Sequence, residues 1–77
     1  MYWVYALRSL ERKYTYVGLT SEVERRLKEH NAGKLKTTKP FRPFRLIYTA
    51  EFPDRIVVRF EEKRLKSGAG KEFLKSL

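Results

Sequence analysis

The run Tyr2-Trp3-Val4-Tyr5-Ala6-Leu7 constrains the fold more than any other stretch of this chain. Its aromatic and β-branched residues favour a strand. Strand alternation sends Trp3, Tyr5 and Leu7 to one face and Tyr2, Val4 and Ala6 to the other. Both sets are apolar, so the strand is expected to be covered on both sides. That is a heavy demand on 77 residues. A domain of this size buries only about 60% of its unfolded surface, so its core is thin. There is no cysteine, which removes disulfides and thiolate metal sites. Stability then rests on packing, and five Phe, five Tyr and one Trp supply the bulk for it.

The remaining elements follow from turn and cap signals. Residues 14–19, Tyr-Thr-Tyr-Val-Gly-Leu, alternate as a second strand, and the short polar connection before them predicts an antiparallel hairpin. Tyr14 and Tyr16 share one face. Ser21 followed by Glu24 fits a capping box, and Val23 and Leu27 recur at i, i+4, which predicts a helix over 22–31. Gly33 stands where a C-terminal cap glycine belongs. Residues 34–43 read as a basic loop with two prolines, and 44–50 as a third strand. Pro53 and Asp54 open a second helix over 54–67. Gly68 and Gly70 break it, and 71–77 form a short last helix whose Phe73, Leu74 and Leu77 cap the core. The order β-β-α-β-α-α defines one α+β domain over 1–77, a small three-stranded antiparallel sheet flanked by helices.

Charge narrows the partner. Eighteen Lys and Arg against nine acids leave +9, which points to a polyanion and most simply to nucleic acid. No stretch reads as a signal peptide or a membrane span, so the expected setting is soluble, intracellular and cytoplasmic, away from membranes. Asp54 is the only aspartate and His30 the only histidine. Clustered-aspartate two-metal sites and multi-histidine zinc sites therefore lack ligands. Pro53-Asp54 with Glu61-Glu62-Lys63 superficially matches a PD…ExK nuclease pattern. Both parts fall in one predicted helix, however, where that chemistry needs adjacent strands. Tyrosines, arginines, one histidine and a few glutamates remain. Such a set can hydrolyse a phosphodiester: an arginine holds the phosphate, one carboxylate holds a hard divalent cation, and a base activates water. Free tyrosine is a poor base near pKa 10, so a tyrosine base needs neighbouring positive charge to lower that value.

Four ordered segments carry a resemblance. Trp3-Val4-Tyr5-Ala6-Leu7, Tyr16-Val17-Gly18-Leu19-Thr20, the run from Val23 to Lys34 and the run from Phe60 to Gly68 together resemble the GIY-YIG nuclease superfamily, and its short single-domain members in particular. The likeness covers nearly the whole chain. Trp3 stands where the family has a glycine, and the last helix lacks an asparagine that many members have. By this resemblance Tyr5 and Tyr16 are the paired active-site tyrosines, one of them a general base. Arg26 is the phosphate clamp, His30 hydrogen-bonds a tyrosine or the phosphate, and Glu62 is the ligand of Mg²⁺ or Mn²⁺. Periodicity alone leaves Glu61 and Glu62 equivalent beside the apolar stripe; only the family register selects Glu62.

The implied activity is metal-dependent endonuclease cleavage of DNA, on branched or damaged substrates in repair. RNA as the substrate, and a protein partner or homodimer, stay open. Lys34, Lys36, Lys39, Arg42 and Arg45 are expected to track phosphates. The alternative is a nucleic-acid-binding module that keeps the fold without turnover. In the plainest reading of the residues, Tyr5 and Tyr16 are sheet aromatics and Glu62 is half of an exposed ion pair with Lys66.

Overall fold

The computed structural model describes residues 1–77. In chain order it contains β1 (Tyr2–Ser9), β2 (Thr15–Thr20), α1 (Val23–Asn31), a 3₁₀ turn (Lys39–Phe41), β3 (Phe44–Phe52), α2 (Arg55–Lys66) and α3 (Gly68–Lys75). The three strands form one antiparallel sheet in the order β2-β1-β3. This is the α+β arrangement expected from the sequence. The two-sided apolar strand is the central one. Val4 and Ala6 are fully buried on one face, with Val17, Val58, Leu65 and Leu74. Tyr5 and Leu7 are buried on the other, with Phe44 and the half-buried Val23 and Leu27 of α1. So α2 and α3 cover one face of the sheet and α1 the other.

Helix ends decide where the side chains point. The expected cap at Ser21 does not form: α1 is capped at Glu22, without a side-chain bond. The Thr20 hydroxyl accepts from the Glu22 N–H instead, at 3.0 Å. That closes the turn one residue later than Ser21 would, and Glu24 stays in the first turn, where the helix dipole favours a carboxylate. The C-terminal signal behaves as expected. Gly33 has φ +76°, and N–H groups of Gly33 and Lys34 bond the carbonyls of His30 and Glu29, each at 3.1 Å. Asp54 caps α2 by accepting from Val57 N–H at 3.0 Å. That structural role accounts for the aspartate of the PD…ExK look-alike.

The C-terminal reading needs two corrections. The break after α2 falls at Ser67, whose hydroxyl accepts from Gly70 N–H, and α3 already begins at Gly68. Gly70 is a buried helical residue, not a breaker. A Cβ there would collide with the Arg64 carbonyl oxygen and the Leu65 Cα, so its smallness lets α2 and α3 backbones touch. Of the three expected core residues only Leu74 is buried, whereas Phe73 is 39% and Leu77 46% exposed. Phe73 lies about 100° around α3 from the buried Leu74, and Leu77 lies past the end of the helix; the Phe73 ring meets the edge of Tyr48. Arg8 ties this end down by donating to the carbonyls of Leu74 and Leu77.

Candidate active site

The site lies on the α1 face. β1 delivers Tyr5, its neighbour β2 delivers Tyr16, and α1 lays His30 and Arg26 over them. The ring centroids are 6.2 Å apart for Tyr5 and Tyr16, 5.9 Å for Tyr5 and His30, and 4.9 Å for Tyr16 and His30. Gly18 sits opposite Tyr5 in the strand register. A Cβ on Gly18 would come within 2.8 Å of the Tyr5 hydroxyl and 2.9 Å of the Tyr16 ring. The glycine is therefore required by the two tyrosine side chains, more than by close passage of the strand backbones.

A hydrogen-bond chain orients the histidine. Tyr5 Oη and His30 Nε2 are 2.9 Å apart, and His30 Nδ1 and Thr38 Oγ1 are 2.8 Å apart. Tyr5 is a protonated phenol whose hydroxyl bonds His30 Nε2, so its O–H is donated there, and Nδ1–H is left to donate to Thr38 Oγ1. His30 is fully buried. Burial pushes its pKa down, the Arg26 cation adds to that, and Glu29 opposes it, so the imidazole is held neutral. Thr38 is itself 1% exposed. Nothing in the sequence marks it: two threonines in a basic loop carry no periodicity, and only the folded loop brings Thr38 to the histidine. Asn31 escapes sequence reasoning in the same way. Its side-chain amide both donates to and accepts from the Phe44 backbone, and so fixes the end of α1 to the start of β3.

The tyrosine electrostatics differ from expectation. A neighbouring arginine was expected to make the phenol more acidic. The Tyr5 pKa is instead raised to about 12: burial is the largest influence, Arg26 pulls it down by hydrogen bonding, and Tyr16 pushes it up. Desolvation of a phenolate outweighs one half-exposed cation. Tyr5 is thus a proton donor to His30, not a standing phenolate. Burial works against the Arg26 cation, yet the neighbouring Tyr5 hydroxyl and Glu29 carboxylate hold its pKa above the usual value. Arg26 donates to Glu29 at 3.1 Å and its side chain stays 37% exposed, so it is available to an incoming anion. A recess of about 170 Å³ opens beside it, where β2 turns into α1.

The other expected site residues lie elsewhere. Glu62 is on α2, which packs across β1 and β2 on the opposite face of the sheet. Its carboxylate is 20% exposed and pairs with Lys66 at 3.3 Å. Glu61 pairs with Arg64. No three His, Cys, Asp or Glu side chains converge anywhere in the molecule. A divalent cation would therefore have at most two protein carboxylates and fill its other places with water and phosphate oxygens, a donor set that suits Mg²⁺. Lys34, Lys36, Lys39, Arg42 and Arg45 are all exposed. Arg45 is on β3 opposite Arg8, not in the loop, and Arg42 lies against Gly33. Arg25 pairs with Glu22 and Glu29, and Tyr14 stacks on Phe41 at 3.9 Å; both fit structural roles.

This constellation is that of a nuclease-type domain, and the comparisons agree. The model of the GIY-YIG catalytic domain matches residues 1–72, and the chain belongs to that family. Among curated proteins it is similar to the UPF0213 protein VNG_2274C of Halobacterium salinarum, 38% identical over 77 residues that span 99% of that protein. It is also similar to the UPF0213 protein BH0048 of Halalkalibacterium halodurans, 40% identical over 55 residues, 57% of that protein's length. The solution NMR structure of the UPF0213 protein BH0048 superposes with a TM-score of 0.57 at 37% identity, covering 97% of this chain and 82% of the other. No helix is long and apolar enough to cross a membrane.

Proposed function

We propose that the domain hydrolyses DNA phosphodiester bonds with the help of Mg²⁺ or Mn²⁺. The observation that carries this reading is the convergence of Tyr5, Tyr16, Arg26 and His30 from three elements, with a neutral histidine accepting from Tyr5. Arg26 receives the phosphate at the rim and balances the charge that builds in the transition state. A proton released by attacking water passes to the tyrosine pair, and Tyr5 hands its own proton to His30 Nε2. The imidazolium so formed is braced through Nδ1–H by Thr38. In this scheme Tyr5 never has to exist as a free phenolate, which its raised pKa disfavours. Glu62 would hold the metal, which when bound supplies charge neutralisation at the phosphate. A role in repair of branched or damaged DNA, inside the cell, belongs to the same reading.

Glu62's pairing with Lys66, on the far face of the sheet from His30, favours a second reading: a nucleic-acid-binding module without turnover. One experiment separates them. Supercoiled, nicked and branched DNA are incubated with the protein, with and without Mg²⁺ or Mn²⁺, beside Tyr5→Phe and Glu62→Ala. Metal-dependent cuts lost in both variants are expected. Binding without cutting on every substrate would select the second reading, and cutting that survives both substitutions would put the chemistry elsewhere.

A further inference from the structure

A second basic region lies away from the loop. Between the free edge of β2 and the α2–α3 pair runs a groove of about 940 Å³. Arg8, Arg12, Lys13, Lys66, Lys71 and Lys75 line it, and none of the chain's nine acids does. These cations come from the β1–β2 hairpin, the end of α2 and α3, so the fold, not a run in the sequence, gathers them. Two are partly answered from outside the groove: Lys66 by Glu62 at 3.3 Å and Lys75 by Glu72 at 3.6 Å. Arg8 is engaged with the C-terminal carbonyls. Lys13 and Lys71 are exposed and form no ion pair, and Arg12 leans over the Phe41 ring at 6.0 Å.

We propose that this groove is the track for the phosphodiester backbone of a single nucleic-acid strand. The apolar residues at its base, Val17, Leu65 and Leu74, are buried in the core, at 6%, 0% and 2% exposed. The side chains a ligand meets are therefore chiefly lysines and arginines with their aliphatic stems, the hydroxyl residues Ser9 and Thr15 and two tyrosines, a mixture that suits a phosphate backbone with bases stacking beside it. The position also fits the reaction. Tyr16 lines the groove and touches His30, while Lys66 lines it and holds Glu62. The edge of β2 is thus where the two faces of the sheet, one bearing the tyrosines and the other Glu62, come to one strand of substrate. The inference rests on the nuclease reading for what the strand is, and not for whether it binds.

The test is binding of a labelled single-stranded oligonucleotide in EDTA, titrated with salt. Single strands show a slope of about −0.7 per neutralised phosphate, so Lys13→Gln/Lys71→Gln should flatten it by about 1.4 and weaken binding roughly 10- to 30-fold near 0.1 M salt. Lys36→Gln/Lys39→Gln in the loop should change the slope by less than half as much. Equal losses in both pairs, or wild-type binding by the groove pair, would overturn the proposal. Competition by polyglutamate as strong, charge for charge, as by unlabelled oligonucleotide would also overturn it, in favour of an acidic protein partner. A protein that binds through the groove yet cuts nothing would retain this inference and lose the nuclease reading.

Discussion

Val4 and Ala6 leave β1 on one side, and Tyr5 and Leu7 leave it on the other, and the two cores they enter are built on different terms. The α2–α3 face is aliphatic: Val4, Ala6, Val17, Val58, Leu65 and Leu74 bring no polar side-chain atom into the interior. The α1 face buries Tyr5, His30 and Thr38 beside Leu7 and Phe44. No buried side-chain nitrogen or oxygen lacks a partner there or elsewhere. Aliphatic packing tolerates volume-conserving exchange, because dispersion and burial are not directional. A buried hydrogen-bond chain tolerates little, since each loss strands a partner. One strand therefore separates a face packed by aliphatic burial from a face ordered by the Tyr5–His30–Thr38 hydrogen-bond chain.

The largest effect should come from breaking the aliphatic face. Leu65 is fully buried between α2 and the sheet. Leu65→Ala should cost about 2–5 kcal/mol, mostly as cavity. A domain of this length is expected to have total stability of only about 4–12 kcal/mol, so urea unfolding should show a large shift or a largely unfolded chain. Where the variant folds, the pH dependence that His30 gives the urea midpoint should match the wild type, because the cavity opens on the other face of the sheet. Loss of that dependence would mean the two faces are not separable.

Gly18→Ala attacks the other face from within. Its methyl would sit 2.8 Å from the Tyr5 hydroxyl and 2.9 Å from the Tyr16 ring. Overpacking of this kind costs roughly 1–3 kcal/mol. The tyrosines must part to admit it, so cleavage should fall much further than stability does. Tyr5→Phe is gentler on packing: the ring stays, and His30 Nε2 loses its donor. Leaving that acceptor unpaired should cost about 1–3 kcal/mol in urea unfolding. Full stability in this variant would show that the Tyr5–His30 bond contributes nothing to the fold.

These contrasts also explain what was legible in the sequence. The central strand could be read because alternation is a local property and both of its faces are apolar. Tyr5, Tyr16, Arg26 and His30 could be singled out because the family motif fixes their spacing. The Ser21 cap could not be told from the Thr20 turn, since both hydroxyls precede the same helix and one residue of chain path decides between them. Thr38 and Asn31 act across loops and make no pattern. The sign of the Tyr5 shift depends on how deeply the ring is buried relative to Arg26, which only packing sets. A contiguous basic loop stands out in a sequence. The groove cations, scattered from Arg8 to Lys75, become one surface only when the hairpin and α3 meet.

The smallest expected effect is the most specific to the α1 face, and its sign can be worked out. His30 is held neutral by burial, and its folded pKa lies below the usual value near 6.5. Between those two values the unfolded chain binds a proton that the folded one refuses. The stability this group contributes is thus complete above about pH 6.5 and declines as pH falls toward the folded value. Glu29 behaves separately. Its bond with Arg26 lowers its pKa, so its contribution is present above the ordinary carboxylate value near 4.5 and is lost only as pH falls further. Urea midpoints should accordingly be level from about pH 8 to 7 and drop from about pH 6.5 to 5, before the carboxylates titrate. His30→Gln keeps an acceptor for Tyr5 and removes the titration, so its profile should be flat over that interval. If the wild type were equally flat there, His30 would not be a buried neutral acceptor, and the proton path from Tyr5 would have no terminus on this face of the sheet.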